Sequence, residues 1–186
     1  MGRCLLPLWA VDLQRARYAA TISTVMRFLI ALLAVAGIVV SSLALRIHGQ
    51  DPSAAPPCAV SDQWDCGAVN HSRFADFPPK SFDEDVAAHK VHIPVALLGI
   101  VGYAVILILA LANRLWLTLQ AAEIGFSFAA FLAYLEAYVI QKWCIYCVWS
   151  LGIITAILLA TIVALVIEAA RKRSCALPAA NWPSKP

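Results

Sequence analysis

The chain has 186 residues, 62% of them hydrophobic and 13% charged, with a formal net charge of +3. An average soluble domain is about 45–50% apolar and about 25% charged, so a water-soluble globular enzyme is a poor reading, as is a disordered chain. A net charge of +3 is too small to argue for nucleic acid, so the placement of the charges and of the six cysteines carries more information than their totals.

Along the chain, a basic segment of residues 1–25 comes first, and residues 1–27 hold Arg3, Arg15, Arg17 and Arg27 against Asp12, a net +3. An apolar run follows from about Phe28 to Leu45, close to the roughly 20 residues that cross a bilayer as a helix. Ser42-Leu43-Ala44 resembles a signal-processing site, but the run is longer than the about 7–15 residues of a signal core, so a retained span is expected. A long loop, 46–92, carries four basic and seven acidic side chains, a net −3. Three further apolar runs are about Ile93–Ala112, with Pro94 at a helix-opening position, about Leu115–Ile140, and about Tyr146–Ile167. The tail 168–186 has Arg171, Lys172, Arg173 and Lys185 against Glu168, again +3.

Strict alternation is absent and the runs are too long for strands of a membrane barrel. Short connections around Asn113–Arg114 and Gln141–Lys142 require antiparallel neighbours, which gives an all-α integral membrane protein, a bundle of four transmembrane helices. The membrane domain is expected over 26–167, with Gly99, Gly102, Gly125 and Gly152 allowing close helix approach. Basic residues favour the cytoplasmic side, so both termini are expected inside and the loop outside, which an even number of spans also requires.

That topology sorts the cysteines. Cys4 and Cys175 fall on the cytoplasmic side as ordinary reduced thiols. Cys58 and Cys66, spaced C-x7-C in the loop, and Cys144 and Cys147, a CxxC where the fourth span begins, face the oxidising side. A helix start favours a thiolate through its unpaired N–H groups and dipole. Trp143 and Tyr146 suit an interface depth, and the apolar helix below would shelter a lipid-soluble partner such as a quinone. Cys58–Cys66 alone reads as a structural bridge worth roughly 2–3 kcal/mol by loop closure. His71, His89 and His92 lie in the same loop, but the second metal-spaced pair of a zinc site is missing, so no metal is expected. Two ordered pairs on one oxidising face are the minimum equipment for relaying electrons by thiol–disulfide exchange.

From about Met26 to Ile167 the sequence resembles the vitamin K epoxide reductase family. The likeness rests on Cys58-x7-Cys66, on Asp65-Cys-Gly-Ala-Val-Asn70 followed by Ser72, on Ile93-Pro-Val-Ala-Leu-Leu-Gly99 with Tyr103, and on Cys144-Ile-Tyr-Cys147. The resemblance implies that Cys147 reacts with the quinone (ubiquinone or menaquinone), with Cys144 as its exchange partner. It further implies that Cys66 attacks the Cys144–Cys147 disulfide and that Cys58 exchanges with an external thioredoxin-fold or DsbA-like thiol protein. Ser72 matches the family's active-site hydroxyl beside the quinone, its plainer reading being a helix cap. A short helix around Cys66–Phe74 would then cover the quinone pocket.

Two departures bear on the reaction. Animal enzymes that reduce the epoxide carry an Asn near the start of the second span and a Tyr after the CxxC, where this chain has Val95 and Leu151. Many bacterial members carry a fused thioredoxin domain; here an Ala/Pro-rich tail, Ala176–Pro186, follows instead, so a separate redox partner is expected. An acidic stretch between Phe77 and His92 also looks inserted, and reads more readily as a solvated loop than as a partner contact.

The resulting expectation is a quinone-dependent thiol–disulfide oxidoreductase of a bacterial inner membrane, active on its periplasmic face in support of disulfide formation. Its rivals are reduction of vitamin K epoxide or quinone as the purpose, and a non-catalytic four-span protein of the claudin or tetraspanin kind with a structural loop disulfide.

Overall fold

Uninterrupted apolar sequence makes the long helices. The computed structural model describes residues 8–51, 58–79 and 92–176, with the side chains of 8–20, 22, 23 and 171–176 excepted. Most of the acidic stretch (80–91), together with Cys4, His89 and the tail from 177 on, lies outside the described residues, as does the side chain of Cys175.

Helix α1 spans Leu8–His48, α2 Cys66–Asn70, α3 Val95–Leu111, α4 Leu115–Tyr134 and α5 Ile145–Ala176. At 1.5 Å per residue α1 is about 60 Å long, twice a hydrocarbon core of about 30 Å. It begins well before the apolar run because no Gly or Pro between Leu8 and Gly37 stops it. Among the described residues, three helical stretches are long and apolar enough to cross a membrane: Thr24–His48, Leu115–Ile140 and Ile145–Ala170. Helix α3 is apolar throughout but shorter, at 17 residues.

Helix α1 packs on α3 and α5, and α4 packs on α5 and α3. Ile30, Ala34, Tyr103, Ile106, Ala122 and Ile157 fill the centre, while Phe28, Leu32, Ile108, Ile124 and Val166 point outward. In a hydrocarbon surround, packing rather than apolar burial holds such helices together, so small residues matter. The closest approach is at Gly37, where an added Cβ would stand 2.5 Å from the Tyr103 ring. Gly99 meets Ser41 and Gly125 meets Ile154, but Gly102 and Gly152, expected to mediate close approach, have open space at that position.

The connections are set locally. Asn113, at φ 57°, ends α3 in the left-handed region that Asn tolerates. Arg27 caps the same end, its Nη2 donating to the Leu111 carbonyl at 2.9 Å and its Nε to Ala110 at 3.3 Å. At the other end of the bundle α4 continues as a π-helical turn, Leu135–Ile140, closed by Gln141 at φ 55°.

Two local expectations are corrected. Pro94 is the N-cap of α3 rather than its first residue, because Ile93–Pro94 (β2) pairs antiparallel with Asp76–Phe77 (β1), the one strand pair among the described residues of a mostly helical chain. The loop helix stops at Asn70 rather than reaching Phe74: His71 leaves helical geometry, and its ring Nδ1 sits 2.9 Å from the Gly67 carbonyl, an acceptor at the helix end.

Candidate active site

Asp65, with extended backbone, N-caps α2 by accepting from the Ala68 N–H at 3.0 Å. Its own N–H donates to the Trp143 carbonyl at 3.1 Å, and the Trp143 N–H donates to Gln63 at 2.8 Å. The Trp64 and Trp143 rings lie 6.3 Å apart, and the Lys142 ammonium donates to the Asp62 carbonyl. This short stitch joins the backbone just before Cys66 to the backbone just before Cys144.

The structure therefore brings Cys58, Cys66, Cys144 and Cys147 together. Cys58 and Cys66 form a disulfide with Cα atoms 5.8 Å apart. Cys144 and Cys147 are free thiols. Cys58, Cys66 and Cys144 are buried in one cluster with Ile47 and Val69, and Cys147 packs against it.

Cys144 precedes α5, and its carbonyl accepts the first-turn bond from Val148 at 3.1 Å, which makes it the N-cap. Its sulfur receives a hydrogen bond from the Asn70 amide, Nδ2 to Sγ 3.6 Å, while the same Nδ2 donates to the Cys66 carbonyl at 2.9 Å. The hydrogen bond from the Cys147 thiol holds the Cys144 thiol below its ordinary value, against the opposing effects of burial and of the Glu136 charge. Of the two sulfurs, Cys144 is thus the one at which the surroundings favour a thiolate.

Glu136, 2% exposed on the π-helical turn, accepts from the Cys144 backbone N–H at 3.0 Å and lies within hydrogen-bond reach of the Cys147 thiol. The wider turn of a π-helix brings this carboxylate round to the cysteines. On the other side His48, in the last turn of α1, donates from Nδ1 to the Asn70 carbonyl at 2.6 Å and sets Nε2 3.4 Å from Asp76. That clamp fixes α2 over the end of the bundle, with His71 stacked on His48 and its Nε2 3.0 Å from the Gln50 carbonyl.

Beneath α2 lies a cavity of about 450 Å³, lined by all four long helices and by α2 with the turn after it. Its floor is apolar (Ile106, Phe128, Leu132, Ile154), and its upper rim carries Ser72, Asn70, His48, Glu136 and Cys147. A site of this size, mostly apolar with a few convergent polar groups, suits a lipid-soluble ring. Of the four clustered cysteines, Cys147 alone lines it. Ser72 lines it too, and its buried hydroxyl has no hydrogen-bond partner, which is what a donor reserved for a ligand carbonyl looks like. The hydroxyl does not cap α2. Deeper in, Tyr103 donates to the Ser150 carbonyl at 2.9 Å, its ring laid against Gly37.

His71 and His92 are engaged with backbone carbonyls, and the described residues hold no group of three or more His, Cys, Asp or Glu placed to bind a metal ion. Sequence reasoning singled out neither Glu136, His48 nor the contact from Asn70. For Glu136 the signal was available: an ionisable residue inside an apolar, span-length stretch is a functional candidate by default.

A model of the vitamin K epoxide reductase family matches residues 28–162. Comparison with curated proteins gave no significant match. The matched region contains both cysteine pairs, Ser72, Glu136 and every cavity-lining residue. With thiol pairs gathered at the head of a bundle of apolar helices, and with the family model spanning all of it, the chain belongs to the vitamin K epoxide reductase family, membrane thiol oxidoreductases.

Proposed function

We propose that the protein takes electrons from a thioredoxin-fold thiol protein and passes them through Cys58/Cys66 and then Cys144/Cys147 to a membrane quinone, so that disulfides form in the partner. The observation that carries this reading is the burial of an oxidised and a reduced cysteine pair in one cluster, with Cys147 alone of the four on the cavity wall. That arrangement matches one stage of the relay, in which the outer pair is already oxidised and the inner pair holds the electrons.

Each transfer is exchange between sulfurs, so rate follows thiolate fraction and access. Cys58 meets the partner thiol, and Cys66, released from Cys58, attacks the inner disulfide at Cys144. Asn70, which touches both the Cys66 carbonyl and the Cys144 sulfur, holds these two in register. Cys147 is then freed beside the cavity. A bound quinone supplies an acceptor for two electrons and two protons. Ser72 donates to its carbonyl, and the α2 cover, clamped by His48, excludes water.

In this reading α3, extended by Ile93–Pro94 and Ala112, is the second of four spans. The cysteine end faces the periplasm, and the end capped by Arg27 faces the cytoplasm, in line with the basic termini. Exposed Tyr134, Tyr138 and Trp149 near the cysteine end, and Trp116 at the other, suit the two interfaces. Quinone rather than epoxide is favoured because Val95, on the cavity wall, and Leu151, packed in the core, offer no donor.

The test compares two electron donors. With a reduced thioredoxin-fold partner or with dithiothreitol, the purified protein reduces ubiquinone or menaquinone; Cys58→Ala loses the partner-driven rate and keeps the dithiothreitol-driven one. No quinone reduction by the unmodified protein with either donor would overturn the proposal.

A further inference from the structure

Glu136 is a buried acid that the relay above leaves without a task. It stands on the π-helical turn within hydrogen-bond reach of both members of the inner pair, and it shares the cavity wall with Cys147. Its Oε2 accepts from the Cys144 N–H, and the Cys147 S–H, which also faces the Cys144 sulfur, is within reach of the same carboxyl group.

We propose that Glu136 is a catalytic residue that carries the proton between the Cys147 sulfur and the electron acceptor in the cavity. The inference rests on the relay proposed above. The step starts from Cys144 as thiolate, supported by the Asn70 amide at its sulfur, and Cys147 as thiol beside Glu136. As the Cys147 sulfur bonds to the quinone through its electron pair, its proton passes to Glu136. The Cys144 thiolate then attacks the Cys147 sulfur, the sulfur–quinone bond breaks with its electron pair leaving on the quinone, and the inner disulfide forms, so that two electrons have left the sulfurs. Glu136 returns its proton to the acceptor oxygen, and water supplies a second one, equal to the proton Cys144 lost when it ionised. One thiolate, one thiol, one proton and one quinone thus give one disulfide and one hydroquinone.

The geometry explains why the acid is held by a backbone bond. Anchored to Cys144 N–H, the carboxylate stays beside Cys147 through the cycle, so only the proton has to move. General acid–base assistance of this kind is worth about 10²–10⁴-fold in rate.

Glu136→Gln tests this, because the amide oxygen still accepts from Cys144 N–H while the proton carrier is gone. Two measurements are made: quinone reduction driven by dithiothreitol, and the rate of Cys147 alkylation by iodoacetamide in reduced, quinone-free protein, located by mass spectrometry. The expected result is a split. Quinone reduction falls by about 10²-fold or more, while Cys147 alkylation at fixed pH rises, because a neutral neighbour no longer disfavours the thiolate. Glu136→Asp, which keeps the carboxylate, recovers part of the quinone rate and shows no rise in alkylation.

Unchanged quinone reduction in Glu136→Gln would overturn the inference, as would a parallel fall in both rates, which marks a merely structural role. Should Glu136→Gln not fold, Glu136→Ala decides by the same two readouts: unchanged quinone reduction, or a parallel fall in both rates, counts against the carrier. If the unmodified protein reduces no quinone, the relay fails on its own control, whatever the alkylation rates show.

Discussion

Asn70 offers a sharp test of how the inner thiolate is made. Its amide donates to the Cys144 sulfur across 3.6 Å and to the Cys66 carbonyl across 2.9 Å. Asn70→Leu keeps the volume and removes the donor. A hydrogen bond to a charged group contributes about 1.5–3 kcal/mol, and the long reach to sulfur places this one at the lower end. About 1.4 kcal/mol corresponds to one pH unit in the titration of Cys144, upward, because the charged form loses support. At a fixed pH below that titration the thiolate falls about tenfold, but the more basic sulfur is a better nucleophile, with a Brønsted slope of about 0.4–0.5, so exchange slows by only about three- to fourfold. The assay is ultraviolet thiolate absorbance against pH in reduced protein, taken as the difference from Cys144→Ser, alongside the rate at which Cys144 of the reduced inner pair attacks a small-molecule disulfide. An unmoved or lowered titration of Cys144 would refute the role given to Asn70.

Other substitutions probe the remaining contacts. Ser72→Ala removes a buried hydroxyl that has no partner, so thermal stability should hold or rise by about 1 kcal/mol while the quinone KM increases; a stability loss with an unchanged KM would contradict the assignment. Gly37→Ala puts a Cβ 2.5 Å from the Tyr103 ring, and overpacking of this kind costs about 1–3 kcal/mol; the Tm should fall, with the Tyr103–Ser150 contact disturbed, and an unchanged Tm would show that the ring moves freely. Cys147→Ala removes the hydrogen bond that most lowers the Cys144 thiol, so the Cys144 thiolate should disappear at a higher pH than in the unmodified protein as acid is added. The same absorbance titration measures it, and a midpoint at or below the original would reverse the cause assigned.

The parts of the structure that were legible in the sequence are those that depend on local pattern. Apolar runs of membrane length marked the long helices, because a span must satisfy its own backbone. The two cysteine pairs stood out because their spacings, C-x7-C and CxxC, set them apart from Cys4 and Cys175. What sequence could not fix depends on rotation and on distant contact. Helix α1 outran its apolar segment because polar helix formers continue it just as well. Gly37, not Gly102 or Gly152, is where two helices nearly touch, a matter of which face each glycine presents. Glu136 reaches Cys144 only because a π-helical turn changes the register of α4 near its end. The His48 clamp joins residues 22 apart, across a loop whose path no periodicity records.

The most direct test of the relay couples its two ends. Purified protein is mixed with a reduced thioredoxin-fold partner and ubiquinone or menaquinone, and quinone absorbance is followed together with the partner's thiols. Quinone loss should match partner oxidation one for one, and both Cys144→Ser and Cys147→Ser should abolish it. Undiminished turnover in either variant would contradict a path through the inner pair.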